Sequence, residues 1–151
     1  MGYNATIEGT WNGEDVKVRG RKVVGRTALE VGYVVSSQAK LLINNVTGLL
    51  ASSIHVRSMG GGSMPESPGK YGSGKNFYTA RPIQDPDSDN EVFVGTSVSY
   101  APWVEFGTRR HEALPFLRPS LDLAKGRVLT ITKKNARYEF KEYMRETGVY
   151  E

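Results

Sequence analysis

A chain of 151 residues, 38% hydrophobic and 24% charged, has the size of one ordinary domain with a modest core. It has no cysteine, which removes disulfides, thiolate metal sites and cysteine nucleophiles, and no apolar run approaches the ~20 residues that cross a bilayer. The net charge of +4 is spread along the sequence and not gathered in a polybasic arm, so a mildly basic surface is expected in place of a dedicated nucleic-acid module.

The first ten residues lack a basic stretch followed by an apolar one, so no secretory signal is expected and the mature chain is expected to start here. Further on, Val24, Ala28, Val31, Val35, Ala39, Leu42 and Val46 recur at steps of three and four, which predicts a long helix over about Arg21 to Asn45. Gly25 and Gly32 inside it each cost up to about 1 kcal/mol against alanine, so the helix is expected to lie close against a neighbour. Gly48 is placed to end it in a left-handed conformation. Ser53 to Arg57 alternates polar and apolar, with Ile54 and Val56 on one side, and predicts a half-buried strand. His55 falls on the polar side and reads as a surface residue, because no cysteine or nearby histidine completes a metal site.

From Ser58 to Asn90 glycine, proline and serine dominate, and the stretch is expected to be a long mobile loop or loose hairpin that orders on assembly. Only Phe77 to Arg81 within it reads as strand. Gly69 to Asn76 reproduces the phosphate-loop spacing G-x-x-x-x-G-K with asparagine in place of the metal-binding hydroxyl. The residues before it are loop, whereas a phosphate loop leaves a buried strand and opens a helix, so a flexible loop is the expectation. Asp85 to Asp89 carries turn chemistry.

Glu91 to Gly95 resumes a strand pattern. Tyr100 to Phe106 predicts a short helical turn with Pro102 at its start and Gly107 at its end. Trp103 and Phe106, three apart, share a face for which core packing is the default, with interface anchoring as the alternative. Pro119 suits the first turn of a C-terminal helix whose face continues through Leu121, Ala124, Val128 and Ile131. Val128 to Thr132 is also β-prone, which leaves a break or strand near Gly126 open. Together these elements predict one α+β domain: a long N-terminal helix packed on a small antiparallel sheet, a C-terminal helix and a long mobile loop.

Catalytic arrangements are scarce. Glu105 and His111 lie six residues apart across a glycine turn, but no nucleophile elbow accompanies them. Glu105 is better read as a carboxylate that caps a turn or pairs with Arg109, Arg110 or Arg118. No catalytic residue, metal ligand or cofactor is expected.

The run from Val94 to Thr108, V-G-T-S-V-S-Y-A-P-W-V-E-F-G-T, followed by L-P-F-L-R-P-S-L from Leu114 to Leu121, resembles the gp-ten-like neck or tail-completion family of HK-type tailed bacteriophages. That family's pattern is a V-G-T strand end, then Y-A-x-x-V-E-F-G-T, then P-F-L-R-P-A-L, with Ser120 here in place of the usual alanine. Its T-G-x-L-x-x-S-I turn after a long helix is matched by Gly48, Leu50, Ser53 and Ile54. The Pro and Asp that commonly precede that turn are replaced by Asn44 to Val46. The resemblance covers about residues 20–125. It implies a virion structural protein of the head-tail joint, assembling as a ring and bound by portal, adaptor, head-closure, tail-tube or terminator proteins, with weak contact to DNA in the lumen and no membrane. The residues that carry the match, and are the candidate interface, are Tyr100, Trp103, Glu105, Phe106, Gly107, Pro115, Phe116 and Arg118. Lys70, Tyr71, Lys75 and Phe77 form a candidate assembly loop.

Overall fold

No proline interrupts the sequence from Gly13 to Ile43, and the charges at its ends, Glu14 and Asp15 in the first turn and Lys40 in the last, complement a helix dipole. In the computed structural model, which describes residues 13–43, 48–59, 70–71, 78–79 and 85–148, this whole stretch is helix α1 (Gly13–Ile43). It begins eight residues before the expected start at Arg21. Those extra turns carry no apolar stripe; they are helical because the far end of a second long helix, α4 (Leu117–Glu146), lies along them.

The two helices run antiparallel, and their contacts form a polar ladder. Arg19 pairs with Glu146 and lies over the ring of Tyr143, while Arg26 reaches Glu139 at 3.0 Å and covers Tyr138. Asn135 donates to Thr27 Oγ1 at 3.3 Å in a buried pair, and Lys134 meets Glu30 at 3.2 Å. Helix α4 passes without a break through Gly126 and through Val128 to Thr132, where a strand was the alternative; these residues are exposed or half-buried and join buried Ala124 to the ladder that begins at Lys134.

Beyond the ladder, α1 enters the core. Short helix α2 (Gly48–Ser52) leads into strand β1 (Ile54–Ser58), which pairs antiparallel with β4 (Val92–Thr96), Ile54 opposite Thr96 and Val56 opposite Val94. Between them β2 (Lys70–Tyr71) and β3 (Tyr78–Thr79) form a separate antiparallel pair. Helix α3 (Ala101–Phe106) then precedes α4. The core gathers Ala39 and Ile43 of α1, Leu50, Ile54, Val98, Ala101 and Phe116. Gly48 opens α2 and has no left-handed backbone, so it does not terminate α1 in the expected way.

The turn after α2 is held by a chain of hydroxyls. Ser53 Oγ donates to the Leu50 carbonyl at 2.8 Å and meets Thr96 Oγ1, which also accepts from the Val98 amide at 3.1 Å. Because Ser53 has already spent its one proton on Leu50, Thr96 is the donor between the two hydroxyls. A turn in β1's approach is thereby fastened to the end of β4.

The buried stripe of α1 is Thr27, Gly32, Val35, Ser36, Ala39 and Ile43. Val35 and Ala39 were read correctly, but Val24 and Leu42 are 49% and 48% exposed, and Val46 lies outside the described residues. On α4 the buried positions are Ser120, Ala124, Asn135 and Glu139, while Leu121 and Val128 are exposed. Small and polar residues mark both contact faces because the elements approach closely. A Cβ on Gly32 would stand 2.7 Å from Val92 Cγ1 and 3.0 Å from Val56 Cγ1, and one on Gly25 would stand 2.8 Å from the Asp89 carbonyl oxygen. The close approach expected at both glycines is present.

The expected mobility of residues 58–90 falls mostly outside the described residues. At the edges of that stretch Ser58 belongs to β1, Arg57 pairs with Asp85 at 2.7 Å, and the Asp85 to Asp89 turn closes with the Glu91 amide donating to the Ser88 carbonyl at 3.1 Å. Among the described residues no helix is long and apolar enough to cross a membrane.

The glycine geometry separates two substitutions that look alike in sequence. Gly32→Ala is expected to cost about 1 to 3 kcal/mol by overpacking, whereas Gly20→Ala, with nothing within 4 Å of its Cβ, is expected to gain up to about 1 kcal/mol of helix propensity. Denaturant melts of the two variants check this, and equal effects would refute it. The ladder supplies a second test. The hydrogen bond and charge of Arg19 hold Glu146 below its ordinary value of 4.5, and Glu146 in turn raises Arg19, which stays charged. A depressed carboxylate contributes its stability above the unfolded value and loses it as pH falls through the lower folded value. Protection of the amides over residues 13–20, measured relative to their intrinsic exchange at each pH, is therefore expected to fall below about pH 4.5, and Glu146→Gln to remove much of that dependence.

Candidate assembly site

Helix α4 starts at Leu117 after Phe116, which offers no side-chain cap of its own. The first amides of such a helix need an acceptor from elsewhere. Glu105, buried on α3, supplies it: Oε2 accepts from the amides of Phe116 at 2.7 Å and Leu117 at 3.0 Å, and Oε1 from that of Arg118 at 3.2 Å. The charge also lies at the positive end of the helix dipole. Pro119 brings no amide to this first turn, so its place there leaves no donor unsatisfied.

The ten residues between α3 and α4 make a tight return. Gly107 takes φ 74°, and a Cβ on it would stand 2.8 Å from the Ala113 amide nitrogen and 3.0 Å from the His111 carbonyl oxygen. Thr108 and His111 bridge each other through their backbones, and the Leu114 amide donates to the Val104 carbonyl at 2.8 Å. The corner is thus fixed by a carboxylate, a left-handed glycine and backbone hydrogen bonds.

The candidate interface residues divide by role. Glu105 and Gly107 build the corner, Phe116 is buried in the core, and half-buried Tyr100 packs against it. Trp103 and Phe106 face outward, 62% and 68% exposed, which corrects the default of core packing: Ala101 and Glu105 occupy the inner side of this six-residue helix. Pro115 and Leu114 are exposed beside them, and the Arg118 guanidinium lies 5.9 Å from the Phe106 ring centre. Arg118 meets Glu105 through its backbone amide, so the expected cap is made by backbone donors. His111 is exposed, and both oxygens of Glu105 are engaged at the helix start, so the two do not form an acid-base pair. Lys70 and Tyr71 lie on β2, whereas Lys75, Phe77 and the phosphate-loop-like turn fall outside the described residues.

Sequence reasoning missed a groove of about 1210 Å³ beside this corner. Its walls are α1 at Ala28, Val31 and Val35, all of residues 90–99, and Pro102 and Leu121. The sequence signalled the strand β4 but not that, among the described residues, a second strand lies on one side of it alone. Among the described residues no group of His, Cys, Asp or Glu is placed to hold a metal ion.

No family model, curated protein or solved structure matches this chain.

Replacing Glu105 by Gln keeps the shape but removes the charge from three amide hydrogen bonds, an expected cost on the order of 1 to 3 kcal/mol. Gly107→Ala is expected to cost about as much through backbone strain and collision with residues 111–113. Both losses are read as lowered denaturation midpoints; a Glu105→Gln variant with an unchanged midpoint would show that the cap carries no net stability.

Proposed function

We propose that this chain is a structural, non-enzymatic subunit of the neck of a tailed-phage virion, a connector or tail-completion protein that assembles as a homo-oligomeric ring between the capsid portal complex and the tail. It would be made in the cytoplasm of the bacterial host and meet portal, adaptor, head-closure, tail-tube or terminator proteins at its two faces. The observation that carries this reading is the exposure of Trp103 and Phe106 on a corner whose backbone is already locked by Glu105. Large exposed aromatics beside Leu114 and Leu121 suit the centre of a protein interface. A rigid support lowers the ordering entropy that association costs. The same corner is where the sequence resembles the neck family most closely.

A nucleic-acid-binding module using the basic residues of the long helix and the C-terminal tail is less well supported. Arg19, Arg26 and Lys134 on the helix ladder each face a carboxylate of the neighbouring helix, which leaves less positive charge for phosphates. Contact with DNA in the ring lumen is accordingly a secondary role.

Light scattering and negative-stain imaging of the purified chain at rising concentration test the proposal. Ring-shaped oligomers are expected, and the double variant Trp103→Ala, Phe106→Ala is expected to weaken self-association tenfold or more with helix content unchanged. A monomer at every concentration that binds duplex DNA with a steep salt dependence would overturn it.

A further inference from the structure

Strand β4 has one strand neighbour, β1, among the described residues. Successive residues of a strand point to opposite faces, yet all of residues 90–99 line the groove. A cavity that touches every residue in turn runs along the strand's edge. Opposite that edge stand the apolar side chains of Ala28, Val31 and Val35 on α1 and Leu121 on α4. The volume of about 1210 Å³ exceeds the ~300 to 1,000 Å³ of ordinary small-ligand sites. An edge of main-chain donors and acceptors beside an apolar wall is the form of a strand-accepting site.

The same chain carries a segment that fits it. Residues 3–11, immediately before the described helix, read Y-N-A-T-I-E-G-T-W. Tyr3, Ala5, Ile7 and Trp11 fall on one side of the period-two pattern, with Gly9 among them, and Asn4, Thr6, Glu8 and Thr10 on the other. This alternation is that of a half-buried strand. Reach decides whose groove it enters. From Gly13 back along α1 to Ala28, where the groove begins, the distance is about 22 Å at 1.5 Å per residue. An extended chain gains at most ~3.6 Å per residue, so within one molecule only the stretch from Tyr3 to Ile7 comes within reach of the groove and Trp11 never does; the whole of residues 3–11 can lie along it only from another copy. A neighbouring copy has no such tether.

We infer that the groove beside β4 accepts residues 3–11 of a second copy of this chain as an added strand, with Tyr3, Ala5 and Ile7 against α1 and the polar side chains on the side of Phe93. Phe93 lies on the sheet face away from α1, since Val92 and Val94 are the residues that meet Gly32. The inference rests on the reading of the chain as a self-assembling subunit and names the contact that joins neighbours.

Because the chain has no cysteine, introduced pairs report the contact directly. Full-length Asn4→Cys, Thr6→Cys and Glu8→Cys are each mixed with full-length Phe93→Cys and mildly oxidised. A disulfide-linked mixed dimer is expected for the member of the series whose Cα falls within ~7 Å of position 93. Ile7→Asp in the otherwise natural chain is expected to weaken self-association tenfold or more with helix content retained. Mixed dimers absent from all three mixtures overturn the inference, as does a full-length double variant, Thr6→Cys with Phe93→Cys, whose disulfide forms only within one molecule. Light scattering separates the two levels: oligomers without mixed dimers sink the strand exchange alone, and a chain that stays monomeric sinks the ring reading with it.

Discussion

A helix of 30 residues begins at a point where its own sequence offers no cap, and a single carboxylate from another element makes good the deficit. Most of the molecule's geometry follows from that. Glu105 can reach three consecutive amides only if α3 lies against the start of α4, and the intervening chain must therefore turn back within about ten residues. Gly107 makes that reversal possible. With the start of α4 fixed, its direction is fixed, and the ladder of ion pairs to α1 follows in register along the remaining turns. The outward aim of Trp103 and Phe106 is the other side of the same constraint, because the inner positions of α3 belong to the cap and the core. A buried charge of this kind is retained only where its hydrogen bonds are complete, and here they are supplied by backbone that no substitution removes except proline.

The two long helices, β1, β4 and α3 were legible in the sequence because each rests on local signals, whereas α2 and β2 were not anticipated. Two helices, the β1 and β4 strands, the short proline-led helix and the glycine that ends it all stand where spacing and turn chemistry put them. The role of Glu105 as an acceptor was legible too, since a carboxylate between two aromatics has few inexpensive placements. What was not legible is which side of each helix is inward. Periodicity counts apolar residues, but the buried positions of these helices include Gly32, Ser36, Ser120, Ala124, Thr27 and Asn135, whose value lies in small size, as at Gly32 against the sheet, or in a matched partner more than a hundred residues away, as in the pair Thr27 and Asn135. The extra turns from Gly13 to Gly20 were missed for the same reason: their support comes from Arg19 meeting Glu146, and no window of local sequence contains both.

The molecule has two unlike halves. One is a small core of aliphatic and aromatic side chains around Ile43, Leu50, Ile54 and Phe116, with an added clasp of hydroxyls between Ser53 and Thr96. The other is a two-helix projection held by charge, amide and cation-aromatic contacts along exposed surfaces. Each exposed pair contributes little alone, and their number is what keeps the helices in register.

The partners that fasten the tip of that projection are 127 residues apart. A ribosome adding 5 to 20 residues per second makes Arg19 roughly 6 to 25 s before Glu146. Through that interval the first turns of α1 have no helix beside them. Their sequence is suited to the wait: Glu14, Asp15, Lys17, Arg19, Arg21 and Lys22 surround a few isolated valines, so the nascent segment displays no apolar stripe for other chains to capture. The charged composition that hid this part of the helix from periodicity is what lets it stay in water until the last residues of α4 are made.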